Sequence, residues 1–407
     1  MPRDPSAAAP LRVGLLGLGT VGREVARGLL ERGPELAAVA GGREMRLAAV
    51  GVRDPGRDRG LRLPREVRRT DDLASLVTSS GVDVVVELLG GLEPAGALVV
   101  AALDAGTSVV TANKALLARR GAALEAHARR VGATLRFEAA VAGGVPILGP
   151  LGADLAANRW DSVSGIVNGT TNFILTAMAE EGWAYADALR QAQAAGLAEA
   201  DPRADVEGLD AADKLAILAR LAFGAWPAVA AIRRAPPATE GDGEPGITGV
   251  TSEVIEAAAD LGLVIKLIAQ ARRGRAGSLE ASVLPTAVPV DSALGRAEGV
   301  TNLVVLQGEP LGRLTMRGPG AGGLPTSSAV LGDLVAVARD QGSTWAGLAP
   351  AEALPAAAVR DGLAGARRWL GPEAASTERL APRTLAAERR RLAAAGQAGT
   401  LYPVEEG

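Results

Sequence analysis

Gly17-Leu18-Gly19-Thr20-Val21-Gly22 follows the apolar run Leu11–Leu16 and precedes a stretch with helical spacing that extends to Arg32. A GxGxxG motif at a strand-to-helix turn is typical of a dinucleotide-binding domain. Gly17 would permit the tight turn, Gly19 would let backbone N–H groups approach a pyrophosphate, and Gly22 would let the helix pack closely on the strand. The alternative is a tight turn without a ligand.

From this motif to Phe137, apolar strand-like runs alternate with helical stretches. The alternation predicts an α/β fold with a parallel sheet, so we assign residues 11–137 to a Rossmann-like nucleotide-binding domain. Beyond Glu138 the rhythm changes to glycine-rich turns with mixed strands and helices, which predicts a second, α+β domain over residues 138–340. We expect residues 1–10 to be disordered. The Ala- and Arg-rich residues 341–407 are predicted to form a helical extension of unknown role.

The composition narrows the chemistry. The 407 residues include 48% apolar and 22% charged residues, with a net charge of −3, one His and no Cys. Nothing here provides a global positive field for nucleic acid or an anionic membrane. Without Cys, thiol nucleophiles and thiolate metal sites are excluded, and a single His on a predicted surface helix argues against Ser-His-Asp catalysis and histidine metal sites. We expect a cytoplasmic protein with a small-molecule ligand.

Lysine is scarce, because only three of the 43 basic residues are lysines: Lys114, Lys214 and Lys266. A coding preference for Arg explains the imbalance without any function. A lysine retained among arginines is still a candidate acid/base, since Arg stays protonated whereas a desolvated lysine can exchange a proton. Lys114 follows the strand candidate Thr107–Thr111, at the edge where parallel sheets bind ligands; a solvated lysine is the alternative. Lys266 lies in a predicted helix, Ser252–Ala271, and would extend to solvent.

An acidic loop leads into a predicted helix that carries Asp210 and Lys214. Residues four apart share one face of a helix, and apolar residues at helical spacing would pack against the lysine stem. A solvated Asp–Lys pair is the ordinary meaning of this spacing. The scarcity of lysine favours a functional pair instead.

The second predicted strand is followed by Arg53 and Asp54. A cation at this point favours the 2′-phosphate of NADP, so we predict NADP, with NAD as the alternative. Arg53 paired with Asp54 or facing water is the competing explanation. A second glycine-rich loop, residues 317–323, precedes a helix start and would suit an anion; a flexible crossover is equally compatible with it.

Together these motifs resemble the homoserine dehydrogenase family from about Leu11 to Arg339. The matching segments are GLGTVG from Gly17, TANKALLA from Thr111, FEAAVAGGVPI from Phe137, NGTTNFIL from Asn168, AEADPRADVEGLDAADKLAILA from Ala198 and GAGGLPTSSAVLGDL from Gly320. The resemblance implies a nucleotide-binding domain joined to a catalytic and dimerisation region with a mixed sheet. The implied activity is the reversible, NAD(P)-dependent interconversion of homoserine and aspartate semialdehyde, a step in threonine, methionine and isoleucine biosynthesis.

The resemblance also implies roles for individual residues. Lys214 would exchange the proton of the substrate oxygen, and Lys114 would lie beside the nicotinamide and the substrate. The substrate would be held and positioned by Glu199, Asp205, Asp210, Gly169 and Thr170. Cofactor contacts would come from Gly17, Gly19, Thr20, Val21, Gly22, Arg53, Thr111, Asn113, Lys114 and Gly322. A sodium ion, which suits oxygen ligands, would be held by Glu138, Val141, Gly143 and Val145.

The chain departs from the family pattern at Leu197 and Phe173, where Tyr is frequent, and the change at Leu197 removes one hydrogen bond to the substrate. The C-terminal residues lack the alternating strands of an ACT-type regulatory domain, so feedback through such a domain is not predicted. We expect a homodimer or homotetramer. An inactive NAD(P)-binding or scaffold protein is the alternative function, and a thioester-forming dehydrogenase is excluded because the chain has no Cys.

Overall fold

The computed structural model describes residues 9–363, 367–371 and 382–405. The chain divides into two compact units. Unit 1 comprises Met1–Ala157 and Pro319–Glu352, and unit 2 comprises Asn158–Gly318 and Ala353–Gly407. Disorder was expected for residues 1–10, and residues 1–8 of this segment lie outside the described part. No helix in the described ranges is both long enough and apolar enough to span a membrane.

Unit 1 is built on a six-stranded parallel sheet, which confirms the prediction for this part of the chain. The strands are β1 (Leu11–Leu16), β2 (Met45–Gly51), β3 (Arg68–Thr70), β4 (Val84–Glu87), β5 (Ser108–Thr111) and β6 (Leu135–Arg136). Their order is β3-β2-β1-β4-β5-β6, with every pair parallel. The chain first adds β2 and β3 on one side of β1. It then adds β4, β5 and β6 on the other side of β1. The carboxyl ends of β1 and β4 therefore flank the crevice where such sheets bind ligands.

The helices of this part are α1 (Thr20–Glu31), α2 (Gly33–Val39), α3 (Leu73–Val77), α4 (Ala95–Asp104), α5 (Lys114–Val131) and α6 (Leu148–Gly152). Helix α1 buries Val25, Ala26 and Leu29 against the apolar core of unit 1, which includes fully buried Val13 and Leu15 of β1. Each of the Val and Leu side chains among these contributes roughly 1.5–3 kcal/mol when fully buried. This packing fixes the position of the turn between β1 and α1.

Unit 2 continues with strands β7 (Arg159–Ile166), β8 (Trp226–Pro227), β9 (Leu263–Arg273), β10 (Leu279–Pro289), β11 (Thr301–Glu309) and β12 (Gly312–Pro319). Its helices are α7 (Gly169–Glu181), α8 (Tyr185–Ala194), α9 (Arg203–Val206), α10 (Leu209–Phe223) and α11 (Ser252–Asp260). Helix α10 is buried along almost its whole length. A polar group on its inner face is therefore removed from solvent.

The helix predicted over Ser252–Ala271 was wrong beyond residue 260. Helix α11 ends at Asp260, Gly262 takes a left-handed conformation with φ +70°, and β9 then pairs with β10 along its full length. A short apolar run does not distinguish helix from strand, and here the pairing with β10 determines the conformation. As a result Lys266 lies in a strand with 1% of its surface exposed and does not extend to solvent.

Unit 1 is completed by α12 (Gly323–Ala338), which returns to pack on α1. A Cβ on Gly28 of α1 would lie only 2.7 Å from Leu331 of α12, so the two helices are in close contact. The buried residues Val330, Leu331 and Leu334 of α12 belong to the same core as β1. Residues 319–323 of the second glycine-rich segment therefore belong to unit 1, whereas residues 317 and 318 belong to unit 2.

The C-terminal segment was predicted to be helical; its described part contains a helix of ten residues, but the rest of that prediction was wrong. It forms β13 (Ala353–Leu354), β14 (Val359–Arg360), β15 (Arg368–Leu370), α13 (Leu385–Ala394) and β16 (Tyr402–Val404). Trp369, Leu392 and Leu401 cluster with Leu284 of β10. Burial of these side chains outweighs the helix propensity of the Ala-rich sequence.

The large sheet of unit 2 is mixed, as the resemblance implied. Its strand order is β12-β11-β7-β9-β10-β16-β15, and β14 also pairs with β10. The pairs of β10 with β14 and β16 are parallel, whereas those of β7 with β9 and β11 are antiparallel. The last residue of β7 leads through two further residues into α7, and this junction carries the polar side chains considered next.

Candidate active site

The glycine motif forms the turn between β1 and α1. Gly17 has φ +95°, and a Cβ there would lie 2.9 Å from the carbonyl oxygen of Leu88. A Cβ on Gly22 would lie 2.2 Å from the carbonyl oxygen of Gly17, whereas one on Gly19 would meet nothing within 4 Å. The first and third glycines are thus required by close packing. The second leaves the N-terminus of α1 open, as an anion site needs.

A cavity of about 900 Å³ lies beside this turn. Four of the predicted cofactor residues line it: Gly17, Gly19, Thr20 and Arg53. Its volume is in the range typical of ligand pockets. Val21 does not line this cavity but packs against the core of unit 1, and Gly22 is buried in α1. These two residues shape the turn and do not face the cavity.

The charged residues that line the cavity are four arginines and two aspartates, Asp54 and Asp58. Arg53 is joined there by three arginines for which the sequence suggested no role: Arg23, Arg57 and Arg59. The carboxylate of Asp54 accepts hydrogen bonds from the backbone N–H groups of Gly56 and Arg57, at 3.0 and 3.1 Å. Asp54 therefore folds the loop and does not pair with Arg53 in any hydrogen bond or ion pair found among the described residues. The signal in the sequence was the spacing Arg53, Arg57, Arg59 within one loop.

The turn between β5 and α5 places Lys114 as the first residue of α5. Thr111 and Asn113, both predicted to contact the cofactor, are 1% and 5% exposed, and their side chains bond to protein groups. The Asn113 side chain accepts a hydrogen bond from the N–H of Leu116 and so caps α5. These two side chains hold the turn. Lys114, the next residue of the motif, is half-buried.

Gly322 precedes α12 with φ +112° and is exposed. A Cβ on the next residue, Gly323, would lie 3.2 Å from the carbonyl oxygen of Thr20. The returning loop therefore lies directly beside the glycine motif of α1. This contact is within unit 1 and brings Gly322 to the same end of the sheet as Gly17.

In unit 2 the predicted pair on α10 is buried. The Lys214 ammonium lies 2.7 Å from a carboxylate oxygen of Asp210, and it donates a 2.7 Å hydrogen bond to the carbonyl oxygen of Val167. The two residues are 9% and 7% exposed. The competing explanation, a solvated Asp–Lys pair, is therefore excluded. A buried ion pair needs nearly ideal geometry to offset desolvation, so its position is well defined.

Asn168 joins this pair to the rest of the cluster, and the sequence analysis assigned it no role. Its amide nitrogen donates to Asp205 and Asp210, at 2.7 and 2.9 Å, while its amide oxygen caps α7 by accepting from the N–H of Thr171. The sequence does carry a local signal, because Asn is a favoured N-cap residue and Asn168 directly precedes α7, which begins at Gly169. One amide thus orients two of the predicted substrate carboxylates.

The two residues predicted to position the substrate, Gly169 and Thr170, form the first turn of α7. Among the described residues their backbone N–H groups donate no hydrogen bond, and the Thr170 hydroxyl donates to the carbonyl oxygen of Leu197 at 2.7 Å. Glu199 lies two residues further along and is exposed. No hydrogen bond of the described residues joins its carboxylate to Lys214, so its part in substrate binding stays a prediction.

The predicted sodium ligands lie in a turn of unit 1. The Glu138 carboxylate accepts hydrogen bonds from the N–H groups of Ile147, Leu148 and Gly149 and therefore caps α6. Burial raises the pKa of this carboxyl, and these N–H groups oppose the rise. The described residues contain no cluster of three or more acidic or His side chains that could hold a metal. A cation here would need backbone oxygens.

Backbone oxygens are available in that turn. Val141, Gly143 and Val145 are buried, yet within the described ranges no group donates a hydrogen bond to their carbonyl oxygens. Ala142 and Gly143 both have left-handed backbones, with φ +56° and +51°. Buried carbonyls normally have partners. The donor set is therefore compatible with a hard cation.

Comparison with known proteins identifies both units. Residues 17–138 match the family model described as "Homoserine dehydrogenase, NAD binding domain", and residues 146–335 match that described as "Homoserine dehydrogenase". The homoserine dehydrogenase of Synechocystis is 44% identical over 332 residues, 80% of this chain and 72% of that protein. The one from Mycobacterium tuberculosis H37Rv is 45% identical over 341 residues, 83% of this chain and 74% of that protein.

Solved structures agree with this similarity. A homoserine dehydrogenase from Thiobacillus denitrificans is 38% identical with a TM-score of 0.77, covering 88% of this chain and 81% of that one. The Staphylococcus aureus enzyme at pH 7.5 is 29% identical with a TM-score of 0.76, covering 98% and 99%. A hyperthermophilic archaeal homoserine dehydrogenase in complex with NADPH is 26% identical with a TM-score of 0.65, covering 81% and 97%.

Proposed function

The chain belongs to the homoserine dehydrogenase family, and from this we propose that it interconverts L-homoserine and L-aspartate 4-semialdehyde with a nicotinamide nucleotide. The observation that supports this most directly is the buried ion pair of Lys214 and Asp210 beside the first turn of α7. An inactive scaffold has no need to keep a lysine desolvated in this way. The reaction belongs to threonine, methionine and isoleucine biosynthesis, which we place in the cytoplasm.

Lys214 is the proton-transfer group in this proposal. In the oxidative direction a bound nicotinamide would accept the C4 hydrogen of homoserine as hydride, and the Lys214 amine would accept the hydroxyl proton. In the reductive direction the Lys214 ammonium returns that proton to the forming hydroxyl. Asp210 orients the ammonium at 2.7 Å. Lys214 must release a proton before each oxidative turnover.

The groups around Lys214 are suited to an amino acid. The unpartnered N–H groups of Gly169 and Thr170 at the N-terminus of α7 would bind the substrate carboxylate, because the helix dipole favours an anion there. Asp205, held by Asn168, would bind the substrate ammonium with Glu199. Asp210 would remain with Lys214. On this assignment the substrate carboxylate meets a helix N-terminus and the substrate ammonium meets carboxylates.

In unit 1 the nucleotide would occupy the cavity beside Gly17, with its pyrophosphate at the N-terminus of α1 and Lys114 beside the nicotinamide. We propose NADP as the preferred nucleotide. Four arginines line the cavity, Arg23, Arg53, Arg57 and Arg59, against two carboxylates, Asp54 and Asp58, and one oxygen of Asp54 already accepts two backbone N–H groups. The archaeal relative crystallised with NADPH is in keeping with this.

We also propose a sodium ion bound by the carbonyl oxygens of Val141, Gly143 and Val145, with Glu138 contributing its backbone. Three buried residues whose carbonyl oxygens receive no hydrogen bond from the described part of the chain support this assignment. Such an ion would stabilise the turn next to α12, since Gly144 donates to the carbonyl oxygen of Pro319. The quaternary structure we propose is a homodimer or a homotetramer.

The experiment that tests the function follows reduced nicotinamide by its absorbance with homoserine and either NADP or NAD. We expect homoserine-dependent reduction of the nucleotide, with a higher kcat/KM for NADP than for NAD. Lys214→Ala should lower kcat by about 10²–10⁴, the usual contribution of a general acid/base, while nucleotide binding stays within twofold (about 0.4 kcal/mol) of wild type. A wild-type protein that binds NADPH but does not oxidise homoserine would favour the scaffold alternative.

A further inference from the structure

Glu87, the last residue of β4, is a fully buried carboxylate that the proposed chemistry does not use. One of its oxygens accepts hydrogen bonds from the backbone N–H groups of Leu89 and Gly90, at 2.8 and 3.1 Å. The other accepts from the Thr111 hydroxyl at 2.6 Å. Removing a carboxylate from water is costly unless such bonds replace its hydration, so the geometry of this group is tightly constrained.

The first oxygen of Glu87 anchors a turn that borders the nucleotide cavity. Leu88 and Leu89 line the cavity, and the carbonyl oxygen of Leu88 is the group against which Gly17 packs. The turn continues through Gly90 and Gly91, which have φ +74° and +72°. Two successive glycines give the backbone wide conformational freedom. The carboxylate of Glu87 removes that freedom by fixing the N–H groups at the start of the turn.

The second oxygen of Glu87 anchors the turn that carries Lys114. The Thr111 hydroxyl donates to Glu87 and accepts from the N–H of Asn113 at 3.0 Å. Asn113 caps α5 and also donates from its side chain to the carbonyl oxygen of Gly91 at 2.7 Å. These hydrogen bonds, together with the peptide chain from Gly90 to Gly91, form a closed ring through Glu87, Asn113 and Thr111. Lys114 is the next residue in the chain.

We propose that Glu87 is a positioning residue that holds the nucleotide-facing turn, residues 88–91, and Lys114 in one fixed arrangement. This inference rests on the proposed function only for the role of Lys114; the effect on the nucleotide turn stands without it. Glu87 touches neither substrate nor cofactor. It acts through the two turns that its two oxygens hold.

Glu87→Gln tests both effects, because a glutamine of the same size cannot accept hydrogen bonds on both sides. Its NH₂ group must face either the Thr111 hydroxyl or the N–H groups of Leu89 and Gly90. We expect the Kd for NADPH, measured by fluorescence without homoserine, to rise about tenfold, and kcat to fall on the order of 10–100-fold, the scale of one lost charged hydrogen bond.

Thr111→Val separates the two effects. It removes the bond from Thr111 to Glu87 and the bond from the Asn113 N–H to Thr111, but leaves the bonds from Leu89 and Gly90 to Glu87. We expect the Kd for NADPH to stay within about twofold of wild type while kcat falls about tenfold, as for one neutral-to-charged bond. This variant also keeps the proposal testable if Glu87→Gln does not fold.

Glu125→Gln is the matched control. Glu125 is a carboxylate of the same unit with 1% exposure, paired with Arg129 on α5 and remote in sequence from both turns. The Glu125→Gln substitution should lower thermal stability. Its Kd for NADPH and its kcat, corrected for the fraction of folded protein, should stay near those of wild type. The positioning role would be overturned if Glu87→Gln and Thr111→Val lost no more activity than this control. A wild-type enzyme inactive on homoserine would instead overturn the proposed function, and the NADPH affinities would still test the turn.

Discussion

Replacing Lys266 by Met should change how the stability of the protein depends on pH. Lys266 lies in β9 with 1% exposure, and its ammonium donates to the carbonyl oxygen of Ala297 at 2.8 Å. Burial lowers the pKa of this group from 10.5 to about 8, although Glu180 and Glu298 partly oppose the shift. In the unfolded chain the pKa returns to its ordinary value. The folded protein therefore binds fewer protons than the unfolded chain between about pH 8 and pH 10.5.

The sign and size of the effect follow from this difference in bound protons. Because the unfolded chain binds more protons in that window, the free energy of unfolding rises with pH, and the penalty for burying the charge is fully present below pH 8. With 1.36 kcal/mol for each pKa unit, wild type should gain about 2 kcal/mol between roughly pH 7.5 and pH 9.5 from Lys266. Lys266→Met has no such group and should lack this gain.

Urea unfolding at the two pH values, followed by tryptophan fluorescence, measures the effect as a difference between the two proteins. Lys266→Met should be at least as stable as wild type near pH 7.5 and should lose that advantage near pH 9.5. Thr286→Val is the matched control, because Thr286 pairs with Lys266 across the strands, is buried and does not titrate. It should shift stability equally at both pH values. Parallel pH profiles for wild type and Lys266→Met would refute the reasoning.

Three further predictions concern the site. Arg53→Ser should raise KM for NADP about tenfold and leave KM for NAD within about twofold, since a charged hydrogen bond to a phosphate is lost; equal changes for both nucleotides would contradict the assignment. Asn168→Ala should raise KM for homoserine about tenfold with nucleotide KM unchanged, because Asp205 loses its orienting amide; an unchanged homoserine KM would argue against it. Gly143→Ala should abolish any difference in activity between sodium and choline buffers, because a Cβ there would lie 2.5 Å from the carbonyl oxygen of Gly320; a retained difference would place the ion elsewhere.

The local parts of the fold were predictable because local sequence determines them. The glycine motif, with the turn it forms at the end of β1, follows from residues within one strand and one helix. The spacing of Asp210 and Lys214 likewise required them to share a face of α10. Even Asn168 and the arginines after Arg53 carried a local signal, as an N-cap and as a basic loop.

Contacts between segments that are distant in the sequence could not be predicted from local patterns. Lys266 was placed in a helix because a short apolar run has no decisive period, and only its pairing with β10 makes it a strand residue. The Ala-rich C-terminus forms strands because Trp369 and Leu401 are buried against β10. The burial of Lys214, which distinguishes a functional lysine from a solvated one, depends on Val167 at the end of β7, far away in sequence.

Glu87 shows the division most plainly. The sequence by itself determined the class of fold and the lysines available for chemistry, and it indicated no role for Glu87. Only the tertiary structure decided that this carboxylate faces inward and joins two turns separated by more than twenty residues. The reason is physical: secondary structure follows from neighbouring residues, whereas the burial and the partners of a polar group depend on which segments fold against it.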